Sequence, residues 1–112
     1  MYPLRYNHGM RILTTKEYKR WLSKLKDKQA KARIILKTNQ IQQNGIKAAD
    51  FKHVGREVLE LRFHFGAGYR VYCANKQDTL LLLLTGGDKS SQRKDIETAQ
   101  RLLDEARKEH QW

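Results

Sequence analysis

From Glu57 onward, apolar and polar side chains alternate with a period of two, and this run restricts the fold more than any other feature of the chain. Leu59, Leu61, Phe63 and Phe65 alternate with Glu60, Arg62 and His64, the pattern of a strand with one face in a core. Gly66-Ala67-Gly68 interrupts it, after which Tyr69, Val71 and Cys73 alternate with Arg70 and Tyr72. A three-residue loop pairs Phe65 with Tyr69, Phe63 with Val71 and Leu61 with Cys73. A two-residue loop would set Arg70 against Phe65 and mix the faces. Since a one-residue slip turns every side chain over, the three-residue loop is expected, with Gly68 left-handed. The polar face then carries Glu60, Arg62, His64, Arg70 and Tyr72, with His64 across from Arg70.

The remaining elements follow from changes of period. Leu4 to Leu13 reads as a first strand. Thr14 and Glu17 form a capping-box pattern ahead of Tyr18, Trp21, Leu22 and Leu25, so residues 15–26 read as an amphipathic helix. Its outer side carries Lys16, Lys19, Arg20 and Lys26. Asp27 caps a second helix over 28–43 with an inner stripe of Ala30, Ile34 and Ile41, and Asn44-Gly45 ends it. Thr79 to Thr85 holds five consecutive leucines, a strand covered on both faces and therefore central. After the turn at Gly86-Gly87-Asp88-Lys89, Ser90 or Ser91 caps a last helix that runs to about Lys108, with Ile96, Ala99, Leu103 and Ala106 inward. The order is β-α-α-β-β-β-α: an α+β fold of helices packed on a small antiparallel sheet.

At 112 residues this is the length of one domain, 1–112, able to bury its own core. Its lone Cys73 cannot form an internal disulfide, which fits a reducing, cytoplasmic setting and a core role for the thiol. No apolar run approaches the ~18 residues of a membrane span, and the first fifteen residues are too polar and charged to be expected to act as a signal peptide. The net charge is +11, distributed as +9 over residues 1–46, +4 over 47–94 and −2 over 95–112. Such asymmetry suits a polyanion partner, and equally a solvated helix face.

Several chemistries find no support. There is no pair of facing carboxylates, and one cysteine with four scattered histidines (His8, His53, His64, His110) makes no metal site. Gly86-Gly87-Asp88-Lys89-Ser90 lacks the spacing of a phosphate loop. No cofactor is expected. What remains is a cationic cluster of Arg62, His64 and Arg70. Lys52 and His53 lie upstream of it, and Asp88 and Lys89 lie downstream at a helix start. Arginine within a sheet needs anionic company; Glu60 can supply it for one guanidinium, but two guanidiniums and a histidine favour phosphate. Tyr72 could stack on a base or simply pack. Such a site suits RNA cleavage without metal, in which the 2′-OH attacks the adjacent phosphate and cations stabilise the charge that builds.

Glu60-Leu61-Arg62, Gly66-Ala67-Gly68-Tyr69-Arg70-Val71-Tyr72, Leu82-Leu83-Leu84-Thr85-Gly86-Gly87-Asp88-Lys89-Ser90-Ser91-Gln92 and Asp95-Ile96 together resemble the RelE/ParE toxin superfamily, closest to its phage-derived, HigB-like members. Tyr18 to Lys31 and Val54-Gly55 match the same pattern. The resemblance implies the β-α-α-β-β-β-α fold and a type II toxin. Its partners would be a cognate antitoxin, expected to be a helix-turn-helix protein encoded beside it, and the ribosome with its mRNA, with no membrane. It implies endoribonuclease activity, with Arg70 on the scissile phosphate, Arg62 and Lys89 at neighbouring basic positions, and Asp88 or His53 in place of a C-terminal tyrosine that this chain lacks. Lys52, His53, Tyr72, Lys16, Lys19, Arg20 and Lys26 are the further candidates for RNA contact. Some relatives poison DNA gyrase and cut nothing, so a non-nuclease toxin or a plain RNA-binding module is the alternative.

Overall fold

The first two helices are each opened by a short polar side chain that satisfies a first-turn N–H. A computed structural model describes residues 9–112. Helix α1 (Lys16–Lys24) is capped by Thr15, one residue later than the capping-box pattern indicates. Thr15 Oγ1 accepts from the Tyr18 N–H at 3.0 Å and donates to the Leu84 carbonyl at 2.6 Å, so the cap also ties the helix to the sheet. Helix α2 (Lys28–Asn44) starts as expected, Asp27 Oδ1 accepting from the Ala30 N–H at 3.0 Å, and its buried residues are Ala30, Ile34 and Ile41. Helix α3 (Gln92–Lys108) buries Ala99, Leu102, Leu103 and Ala106. Among the described residues no helix is long and apolar enough to cross a membrane.

The strands are β1 (Arg11–Thr14), β2 (Phe51–Gly55), β3 (Val58–Arg62), β4 (Arg70–Lys76) and β5 (Leu80–Gly87), in spatial order β1-β5-β4-β3-β2. The α+β class is as read, with two additions. Phe51–Gly55 forms an edge strand, too short and too charged to signal itself by alternation. β1 runs parallel to β5, which makes the sheet mixed rather than antiparallel. The part of the expected first strand that falls within residues 1–8 lies outside the described residues.

The central hairpin keeps the expected faces but shifts its register by two residues. Leu61 pairs with Val71 and Leu59 with Cys73, so Arg62, not His64, stands opposite Arg70. Residues 63–69 form the connection. A two-residue shift preserves every inward and outward direction, so alternation cannot distinguish the two registers. Packing in the connection decides it: the Phe65 ring lies between Phe63 and Tyr69, and the Arg33 guanidinium lies 4.5 Å from its centroid. Gly68 is left-handed as expected, at φ 72°.

Both faces of the sheet are covered. Leu59, Leu61, Val71, Cys73, Leu81 and Leu83 meet Tyr18, Ile34 and Ile41 from α1 and α2. Val58, Tyr72, Ala74, Leu82 and Leu84 meet α3. The face expected to be polar is therefore roofed by a helix. Cys73 is fully buried, its Sγ 3.8 Å from the Leu59 carbonyl, and burial pushes its thiol pKa up.

At Gly86, α1 packs directly on β5: a Cβ there would lie 2.4 Å from the Trp21 ring carbons. Gly86→Ala should destabilise the fold by about 1–3 kcal/mol through overpacking. The cost should shrink in a Trp21→Leu background, as read by urea denaturation of the two single mutants and the double mutant.

Candidate functional site

The alternation of β3 carries a carboxylate into the interior. Glu60 lies between Leu59 and Leu61 and has no exposed surface. An isolated carboxylate there would cost several kcal/mol in lost hydration. Two guanidiniums compensate it: Arg62 Nε lies 3.2 Å from Oε1, and Arg70 Nε lies 3.4 Å from Oε2. Gln92, in the first turn of α3, donates Nε2–H to Oε2 at 2.7 Å. Tyr72 is paired with Glu60 across the strands. Burial first, and then the Glu60 charge, raises the pKa of its phenol and keeps it protonated.

The two arginines differ in exposure. Arg70 retains 8% and donates from Nη1 to the Gly68 carbonyl at 2.9 Å. The Arg62 side chain is 40% exposed and reaches solvent. Two cations and one carboxylate leave a local charge of about +1, matched to one phosphodiester. Lys89 lies against the same loop: its backbone N–H donates to the Ala67 carbonyl at 3.2 Å, and its Cβ packs where a side chain at Gly68 would begin.

Asp88 opens that turn, accepting from the Ser90 N–H at 2.8 Å and the Ser90 hydroxyl at 2.6 Å. These hydrogen bonds, with a smaller contribution from the Arg70 charge, hold its pKa below the ordinary carboxylate value. Asp88 therefore orders the turn through these bonds. Asp95 behaves oppositely. It accepts from the Ser91 hydroxyl and occupies the space a Gly87 side chain would need, and burial raises its pKa.

A groove of about 520 Å³ opens beside Arg62, lined by Lys52 and His64 together with Lys37 from α2 and Asp50. The fold thus unites Glu60, Arg62 and Arg70, places Lys89 and Asp88 against the same loop, and sets Lys52 and His64 along the groove. It does not unite the rest. His53 lines a separate pocket with Lys76 and Arg107. Tyr72 is fully buried, so its ring cannot stack on a base. Lys16, Lys19 and Arg20 are exposed on α1, and Lys26 is exposed between α1 and α2. Gln92 and Lys37 carried no signal in the sequence, because each reaches the site from a distant element.

A model of the family described as phage-derived protein Gp49-like matches residues 20–109. An uncharacterized protein of Haemophilus influenzae is 44% identical over 96 residues, covering 86% of this chain and 95% of that protein. A mutant of the E. coli toxin RelE in the free state superposes with a TM-score of 0.62 at 12% identity, over 83% of this chain and 97% of that one. A RelBE toxin–antitoxin complex of Mycobacterium tuberculosis gives 0.54 at 14%, over 73% and 93%. At such identities the likeness is one of fold.

Removing the shared carboxylate should be costly. Glu60→Ala leaves buried guanidinium charge uncompensated and should lose about 3–5 kcal/mol in denaturant titrations, with Glu60→Gln intermediate. Asp95 gives a pH test. Its folded pKa lies above the ordinary value, so folding disfavours the ionised form, and the penalty vanishes as pH falls through the raised pKa. Asp95→Asn should raise the Tm at neutral pH and give no gain below about pH 4.

Proposed function

The chain belongs to the phage-derived Gp49-like family, a RelE-type toxin family, and from that membership we propose that it is the toxin of a toxin–antitoxin pair that cuts mRNA on the ribosome. The single observation that carries this reading is the pair of opposed arginines held by one buried carboxylate beside Lys89. The net charge of +11 supports a ribosomal polyanion as the docking surface. The RelE toxin and the RelBE toxin–antitoxin complex that share this fold support the same assignment. The site of action is the cytoplasm, and a cognate antitoxin is the partner that restrains it.

In the proposed reaction the 2′-OH of one nucleotide attacks the following phosphorus. The O2′–P bond forms, the P–O5′ bond breaks, and the 2′ proton leaves to a base while the 5′ oxygen gains one. Arg62, Arg70 and Lys89 stabilise the charge on the non-bridging oxygens. Glu60 anchors the guanidiniums through their Nε edges. His64, on the groove wall beside Arg62, carries the proton. Asp88 fixes the turn that presents Lys89.

Arg70→Ala should lower cleavage by about 10²–10³ and abolish growth arrest, since one preorganised donor is worth that much. Arg70→Lys should restore only part, an ammonium being unable to make two parallel contacts to phosphate. Because Arg70 also compensates Glu60, colony formation is read together with circular dichroism. Lys89→Ala, which leaves the Glu60 contacts intact, should act in the same direction more weakly. A folded Arg70→Ala protein that stays fully toxic would remove this arginine from the mechanism.

A further inference from the structure

The far end of the sheet carries a second cationic site that the cleavage reading does not use. Six residue steps along β4 take the chain from Arg70 to Lys76, about 20 Å at strand rise. At that end Lys76, Asn75, Gln77 and His53 line a pocket of about 520 Å³ together with Arg107 and Trp112. Trp112 packs against the α3 face of the core, and the Lys76 ammonium lies 5.0 Å from its ring centroid. Arg107 is paired with Glu57 on the opposite wall.

The backbone around this pocket is strained. Both hairpin turns at this end place two non-glycine residues in the left-handed region: Arg56 and Glu57 at φ 51° and 67°, Gln77 and Asp78 at φ 53° and 56°. Left-handed positions in hairpin turns favour glycine or asparagine, and each other residue there carries a steric cost. Glycine would relieve that cost, but it would delete Glu57 and Gln77, which line the pocket. Unfavourable backbone kept for the sake of side chains is a mark of a used surface.

We propose that this pocket binds a single-stranded nucleotide, its base stacked on Trp112 and its phosphate held by Lys76 and Arg107. The inference stands apart from the cleavage reading, since it uses none of the residues around Glu60. An indole supplies a stacking platform for any base. Carboxamides suit a base edge, offering a donor and an acceptor side by side. Asn75 donates Nδ2–H to Asp78 at 3.2 Å, which leaves its Oδ1 for an exocyclic amino group. A base arriving over the indole displaces the Lys76 ammonium from the ring and leaves that cation beside the phosphate.

The test is a titration of the full chain with 5′-AMP followed by ¹⁵N NMR. Saturable shifts are expected at the Trp112 indole N–H and the Lys76 and Gln77 amides. Trp112→Ala should weaken binding by about tenfold. Gln77→Gly relaxes a left-handed residue, so it should raise the Tm while weakening binding, which separates loss of a contact from loss of the fold. Shifts absent from Trp112 and Lys76, shifts confined to Arg62, Arg70 and Lys89, or unchanged affinity in either folded variant would each overturn the proposal.

Discussion

Glu60 is a carboxylate with no access to water, placed by strand alternation in the middle of β3, and much of the surrounding structure is arranged to satisfy it. Arg62 and Arg70 are brought face to face across the β3–β4 ladder, where two like charges would repel without the anion between them. Gln92 reaches it from α3, so the same group couples the sheet to the helix that roofs it. The arginines are thereby fixed through their Nε edges before any ligand arrives. Such preorganisation is what a phosphate site requires, because it reduces the side-chain ordering that opposes binding.

The elements defined by short-range rules were legible in the sequence. Asp27, the stripe of Ala30, Ile34 and Ile41, and the left-handed Gly68 stand where pattern places them. The burial of Leu81 to Leu84 on both faces follows from the continuity of the leucine run, although β5 lies second in the sheet, beside β1. What escaped depends on long-range choices. The hairpin register moved by two because that shift is invisible to alternation and is decided by aromatic packing in residues 63–69. The roof over Tyr72 escaped because Glu60 reads as solvent-facing when its partner Gln92 is 32 positions away.

The same reasoning explains how the candidate site was partly visible. A carboxylate and two arginines on neighbouring strands signalled an anion-binding cluster, and the fold does assemble them. Residue adjacency misled at Lys52 and His53, which are consecutive yet line different pockets. By sequence Asp88 is one of two candidates for the role of the missing tyrosine, and the fold shows it ordering the turn ahead of Lys89 through hydrogen bonds to Ser90. Gly86 and Gly87 read as a turn signal. Their larger role is steric, one admitting the Trp21 ring and the other the Asp95 carboxylate.

The proposed activity rests on the cationic end of the sheet acting on messages under translation. Primer extension on mRNA recovered shortly after induction addresses this most directly. The account predicts new 5′ ends at defined positions within translated frames, absent from untranslated transcripts. Intact messages, accompanied by DNA breaks trapped on gyrase, would contradict it and assign this fold to an inhibitor that cuts no RNA.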